Sequence, residues 1–134
     1  MTNPIIIEIE KSQVKENLPE INVGDRVKVD LLITEGKKQR IQPYEGTIIE
    51  KKGHLHKESI TVRKVVDGVG VEKSFSIHAP NVANIKIIKQ GKVRRAKLYY
   101  LRNRLGEKAT AVKAKGTLSQ GISSQGTQSK ETKK

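Results

Sequence analysis

The segment from Gly91 to Gly106 reads GKVRRAKLYYLRNRLG, with Lys92, Arg94, Arg95, Lys97, Arg102 and Arg104, no acidic residue, and the adjacent pair Tyr99 and Tyr100. Guanidinium and ammonium groups at this density suit the neutralisation of phosphates: each contact releases a condensed counterion, so affinity falls steeply with salt. Arginine can also fork onto phosphate oxygens, while lysine acts as a mobile point charge. The plain alternative is a solvated face, but solvated faces interleave both signs. From Lys92 to Lys115 there are nine cations against Glu107 alone.

Other chemistries are poorly supported. Without cysteine, no disulfide, thiolate zinc site or cysteine nucleophile exists. His54 and His56 share one side of a strand if extended, yet no third ligand stands nearby, so they read as polar loop histidines and no metal or other cofactor is expected. Asp67, Ser74, Ser76 and His78 lack the strand-to-helix setting of a nucleophilic triad. DGVGVE has Gly-x-Gly but no third glycine and reads as a hairpin turn. No enzyme is expected.

The charge is asymmetric. The net is +13 overall, divided as −2 over residues 1–30, +5 over 31–90 and +10 over 91–134. Such a pole is the electrostatic footprint of a polyanion, most often nucleic acid. With aromatic residues at 3%, a generic single-strand binder with many stacking platforms is disfavoured. Recognition of backbone and shape in folded RNA fits better, with one or two stacking contacts from Tyr99 and Tyr100. The competing role for either tyrosine is packing beside a leucine stripe.

These groups need elements to position them. Asn3-Pro4 is an N-cap followed by proline at the first helical position, predicting a helix in which Ile7, Val14 and Leu18 share a face until Pro19. From Val23 the period becomes two. Val27, Val29 and Leu31 alternate with Arg26, Lys28 and Asp30; Ile60, Val62 and Val65 form a second set; Val69, Val71, Lys73, Phe75 and Ile77 a third; Ile85 and Ile87 a fourth. Together with Thr47 to Glu50 this gives five or six strands between about 23 and 89, separated by Gly24-Asp25, Glu35-Gly36, Gly53, Asp67-Gly68, Pro80-Asn81 and Gly91. That is enough for a small antiparallel barrel. Two hairpin tips are basic, one with Lys37, Lys38 and Arg40, the other with Lys51, Lys52 and Lys57.

Leu98, Leu101 and Leu105 fall at i, i+3 and i+7, the stripe of a short helix with Lys97, Tyr100 and Arg104 on one flank and Arg95, Tyr99 and Arg102 on the other. From Gly116 onward, thirteen of nineteen residues are Ser, Thr, Gly or Gln, predicting a flexible, disordered tail. The division is therefore 1–22 N-terminal helix and linker, 23–90 β-barrel, 91–115 basic C-terminal helix and extension, and 116–134 polar tail. The opening MTNPIIIEIEK has neither a signal peptide's apolar core nor a transit peptide's composition, and no stretch has the 18 or more apolar residues of a membrane span, so no membrane partner and an intracellular protein are expected.

GKVRRAKLYYLRNRLG closely resembles the C-terminal signature of the bacterial-type large-subunit ribosomal protein nineteen family. VGDRVKVDLLITEGKKQRIQPYEGTII, ITVRK and GVGVEKSFSIHAPNVANIKI resemble that family's strands, and NPIIIEIEKSQVKENLPEINVGD its leading helix and linker, so the likeness covers about residues 3–115. It implies a mainly β, SH3-like barrel and a structural constituent of the large ribosomal subunit in a bacterial cytoplasm or plastid stroma. The partners it implies are large-subunit rRNA, small-subunit rRNA across the interface through intersubunit bridges, and the neighbouring large-subunit ribosomal protein fourteen. Carried over by residue, the RNA-contacting set is Lys37, Lys38, Arg40, Arg63 and Lys92 to Arg104, to which the second basic tip adds Lys52. Two departures stand out: Pro43 and Tyr44 replace an apolar residue and Phe, which predicts a local edge or bulge at Pro43, and HLHK replaces a Gly-rich, Ser-containing tip. A free-standing RNA-binding translation or transcription factor is the alternative.

Overall fold

A strand with apolar residues on one side only must lay that side on something, and here the sheet lays it on itself. In a computed structural model, which describes residues 3–104 and 111–115, helix α1 (Pro4–Ser12) precedes strands β1 (Arg26–Glu35), β2 (Lys38–Lys52), β3 (Ser59–Val66), β4 (Val69–Ser76) and β5 (Val82–Lys89). They form one antiparallel sheet in the order β4-β3-β2-β1-β5. Val27 and Val29 of β1, Ile48 of β2, Ile60 and Val62 of β3, Phe75 of β4 and Ile85 of β5 meet in one buried cluster, so the sheet is curled into an SH3-like barrel. Each such side chain contributes about 1.5–3 kcal/mol on leaving water.

β2 is the strand that turns the corner. Its first part pairs with β1 from Lys38 to Thr47, and its last part pairs with β3 from Thr47 to Lys52. Pro43 therefore sits where β2 has a neighbour on one side only, the edge environment its missing N–H suits. The bulge falls elsewhere: between β2 and β3 the register passes from Ile48↔Val62 to Glu50↔Thr61, stepping over Ile49.

The hairpin turns obey their residues. Gly36, at φ +60, opens the two-residue link from β1 to β2, while Asp67 and Gly68, at φ +52 and +78, supply the pair of positive angles that a type I′ turn needs between β3 and β4. Alternation predicts burial less well on β4. Phe75 and Ile77 are buried, whereas Val69 and Val71 are exposed, because β4 is an edge strand and its tip runs past the last residues that face it.

Helix α1 is shorter than the face Ile7, Val14 and Leu18 suggests. The predicted cap holds, with Asn3 Oδ1 accepting from the Ile5 N–H at 3.1 Å, but the helix ends at Ser12, whose Oγ donates to the Ile9 carbonyl at 2.6 Å in competition with helical bonding. Beyond it the chain is pinned to the barrel. Lys15 donates from its backbone N–H to His78 Nδ1 at 3.1 Å and from Nζ to the carbonyls of Ala79 and Val82 at 2.8 and 2.6 Å, and Leu18 packs against the main core. The predicted tail, 116–134, lies outside the described residues.

Asp25, 2% exposed, ties both ends of the barrel together. Its Oδ2 accepts from the Asn22 N–H at 3.1 Å and its Oδ1 from the Gly91 N–H at 3.0 Å. The expected outcome of Asp25→Ala is a loss of about 1–3 kcal/mol, because two part-buried backbone donors lose their acceptor. Urea unfolding of the two proteins measures it, and a change below about 0.5 kcal/mol would remove this role from Asp25.

Candidate nucleic-acid interface

The cationic segment leaves β5 at Gly91 and lies back on the outer face of the sheet. Its anchor is Ile49. The bulge leaves the Ile49 carbonyl to accept from the Leu98 N–H at 2.8 Å, and the Ile49 side chain forms a second core with Leu98 and Leu101, all three 1% exposed or less. The predicted docking by leucines is therefore present, but on a different element. Tyr99–Asn103 is a 3-10 helix, not an α-helix. Three residues per turn place Leu98 and Leu101 directly in line, a stripe that this tighter helix serves without a second turn. Leu105 lies outside the described residues.

The segment is secured at its far end too. Gly91 and Ala114 form an antiparallel bridge, flanked by Lys92 N–H to the Lys113 carbonyl at 2.7 Å and Lys115 N–H to the Gln90 carbonyl at 2.9 Å. The basic stretch is thus held at both ends.

Around the tyrosines the predicted flanks are redistributed. Arg95 and Arg104 stand over the Tyr100 ring, at 5.1 and 4.7 Å from its centroid, and Lys97 and Arg102 over Tyr99, at 5.8 and 4.5 Å. Each ring holds two cations by attraction to its π face.

Two carboxylates of the sheet divide the cations into classes. Glu72 of β4 receives Arg102 in bidentate fashion, Nε to Oε1 and Nη2 to Oε2 both at 2.7 Å, and also Arg63 Nη1 to Oε1 at 2.9 Å. Arg63, 8% exposed, crosses over Gly70 to get there, and a Cβ on Gly70 would overlap its guanidinium. Glu50 of β2 lies 3.3 Å from Lys97 Nζ and 3.9 Å from Lys52 Nζ. Its carboxyl is held below the ordinary range by the Tyr99 hydroxyl beside it and by Lys97 and Lys52, against the opposing effect of burial. The Arg102 guanidinium, seconded by Arg63, holds Glu72 low in the same way, again against burial.

The candidates therefore do not form one equivalent set. Lys97, Arg102, Arg63 and Lys52 are bound to the sheet's own acids, and Arg40 pairs with Glu35, Nη2 to Oε1 at 2.9 Å. Among the described residues Lys92, Arg94, Arg95 and Arg104 have no carboxylate partner, nor do Lys37 and Lys38. The tip bearing Lys37, Lys38 and Arg40 is a separate feature. Eleven strand steps from Lys38 to Ile49, at about 3.3 Å each, set it up to about 35 Å from the Leu98 anchor. Of the histidines, His56 Nδ1 lies 3.8 Å from Glu10 and His78 Nε2 3.5 Å from Glu58. Among the described residues no group of three potential ligands surrounds a metal position.

Glu50, Glu72 and the Gly91–Ala114 bridge are absent from the sequence reading. No local spacing marks them: Glu72 and Arg102 are 30 residues apart. The faint signal for Glu72 was a glycine, Gly70, beside a strand position facing an arginine.

The model of the family described as ribosomal protein L19 matches residues 4–115, which spans every element described above. The chain belongs to that family. A protein named large ribosomal subunit protein bL19 from a Cyanothece strain is 60% identical over 109 residues, covering 81% of this chain and 90% of that one. The protein of the same name from a Synechocystis strain is 59% identical over 109 residues, 81% and 88% of the two chains. Large ribosomal subunit protein bL19c of Mesostigma viride is 56% identical over 113 residues, 84% and 94%.

The shared acid of Arg63 and Arg102 gives a pH signature. With Glu72 low in the native state, the folded protein binds fewer protons than the unfolded chain as pH falls from the ordinary carboxylate range, so the stability this pair contributes is present above that range and lost as pH drops through the native value. Glu72→Gln is expected to cost about 1–3 kcal/mol at neutral pH. Urea unfolding at a series of pH values should show that cost shrinking on acidification, and a cost that stays constant into acid would contradict the pairing.

Proposed function

We propose that the protein is a non-enzymatic structural constituent of the large ribosomal subunit, where its barrel fixes the geometry of cations that neutralise phosphates of folded rRNA. The observation that carries this reading is the cluster Lys92, Arg94, Arg95 and Arg104, exposed side chains without carboxylate partners among the described residues, with Leu98 anchored on Ile49 and Gly91 bridged to Ala114. Like charges gathered in this way repel one another, and a polyanion relieves that repulsion. Membership of the ribosomal protein L19 family supplies the setting, and the relatives' names specify the large subunit.

Within that reading the cations take different roles. Lys92, Arg94, Arg95 and Arg104, with Lys37, Lys38 and Arg40 at the separate hairpin tip, contact RNA. Lys97 and Arg102 contribute one side to RNA while Glu50 and Glu72 hold the other, Lys52 adds a mobile charge beside Glu50, Tyr99 and Tyr100 orient the cations, and Arg63 braces Glu72 from within the sheet. Two cationic features at opposite ends of a long strand suit a protein that touches two RNA elements, and the resemblance to the family adds the finer proposal: a position near the subunit junction, contributing to bridges with small-subunit rRNA and lying beside large-subunit ribosomal protein fourteen. The compartment is that of the ribosome, in a bacterial cytoplasm or a plastid stroma.

Replacing Arg94, Arg95 and Arg104 by Glu is expected to abolish retention in large subunits washed at high salt, while the thermal unfolding of the isolated protein stays within a few degrees of wild type. Sucrose gradients followed by immunoblotting measure the first. With the three changed to Ala, the slope of log affinity for rRNA fragments against log salt should fall by about two to three. Normal occupancy of the Glu variant would refute the assignment of these residues. Loss of the wild-type protein from washed particles would favour a factor that cycles on and off.

A further inference from the structure

Residues from 92–104 and 111–113 line an open cleft of about 780 Å³, a volume within the range of sites that take a discrete small group. Its lining separates by chemistry. Leu98, Val93 and Val112 form an apolar wall continuous with the second core. Lys92, Arg94, Arg95, Arg104 and Lys113 supply five cations, and among the described residues no carboxylate lines it. Between wall and rim stands Tyr100, its ring flanked by the guanidinium carbons of Arg95 and Arg104 at 5.1 and 4.7 Å.

We propose that this cleft receives one unstacked nucleotide of folded RNA, its base against the arginine and tyrosine planes and the apolar wall, its phosphates on the surrounding cations. The inference rests on the RNA-binding reading and adds to it a preference for a flipped-out base over a paired helix. Planar guanidinium and phenol groups are the surfaces on which splayed bases stack. An apolar wall has no use for a phosphate alone, and a paired helix cannot place a base in a concavity. The Asn103 side chain, exposed at the lining, carries both a donor and an acceptor for the edge of a base. The bridge at Gly91 and Ala114 and the bond from Lys92 to Lys113 at 2.7 Å hold the walls apart before anything binds, which lessens the ordering required on association. An acidic peptide would satisfy the charge and leave those planes unused.

The full-length chain is titrated with two RNA hairpins of the same stem sequence, one carrying a single bulged 2-aminopurine and the other the same residue paired. The expected result is about tenfold tighter binding of the bulged hairpin at equal salt, with a change in 2-aminopurine fluorescence on binding. Asn103→Trp, which plugs the cleft from an exposed position, and Tyr100→Ala are each expected to bring the ratio to about one. Should Tyr100→Ala fail to fold, Asn103→Trp decides alone. Equal affinity of the wild type for both hairpins overturns the cleft assignment while leaving the general RNA reading intact, as does a ratio that survives in Asn103→Trp. Polyglutamate that displaces the bulged hairpin as effectively as unlabelled bulged RNA overturns it too, since the cleft would then read charge alone. Failure to bind either hairpin sinks both readings.

Discussion

A single irregularity in one strand organises the molecule's charged face. Because the ladder between β2 and β3 steps over Ile49, that residue has both a side chain turned away from the main core and a carbonyl for the Leu98 N–H. Leu98 and Leu101 close over it, and buried leucines of this kind are worth about 2–5 kcal/mol each. Everything cationic between Lys92 and Arg104 takes its position from that seat. A strongly like-charged stretch has no tendency of its own to stay compact, so fixing it requires apolar contact with a body that is folded already.

Seating alone would still leave neighbouring cations to push one another apart. The two acids beneath the segment answer this locally: Glu72 grips Arg102 and Arg63 together, and Glu50 gathers Lys97 and Lys52. Both acids lie on the sheet, so the sheet's own strand order sets where the cations stand. The tyrosines complete the arrangement by taking two cations apiece against their rings. Removing positive charge at Arg102 would also free Glu72 of its bidentate partner, whereas Arg94 has no carboxylate partner among the described residues.

Much of this was legible in the residues. The alternation of Val27, Val29 and Leu31 places β1, Glu35-Gly36 marks the turn that follows it, and Asp67-Gly68 marks the turn from β3 to β4, because these signals act within a few residues of themselves. Asn3-Pro4 likewise fixes where α1 starts. Its end at Ser12 was hidden, since Lys15 and Leu18 answer to the loop around His78 and to the core rather than to helical spacing. Val69 and Val71 share a period with Phe75, but period cannot say which end of an edge strand is covered. At the interface, the excess of cations was plain while their allotment was not. Arg63 and Arg94 are the same residue type, each followed directly by another cation, and only the fold separates a buried brace from an exposed contact. The leucine spacing of 98 and 101 suits an α-helix and a 3-10 helix alike, so the spacing by itself does not choose between them.

The return of residues 113–115 to pair beside Gly91 also orders events in time. A ribosome makes a chain from its amino end, and all five strands, complete by Lys89, have been synthesised before Ala114 exists. The globule can therefore assemble first, with the polycation trailing as an open length until its last residues emerge and close the loop. A newborn copy so arranged meets nucleic acid with its scaffold finished and its grip still forming, and a message cut short before that point would yield a sound barrel with no fastened arm.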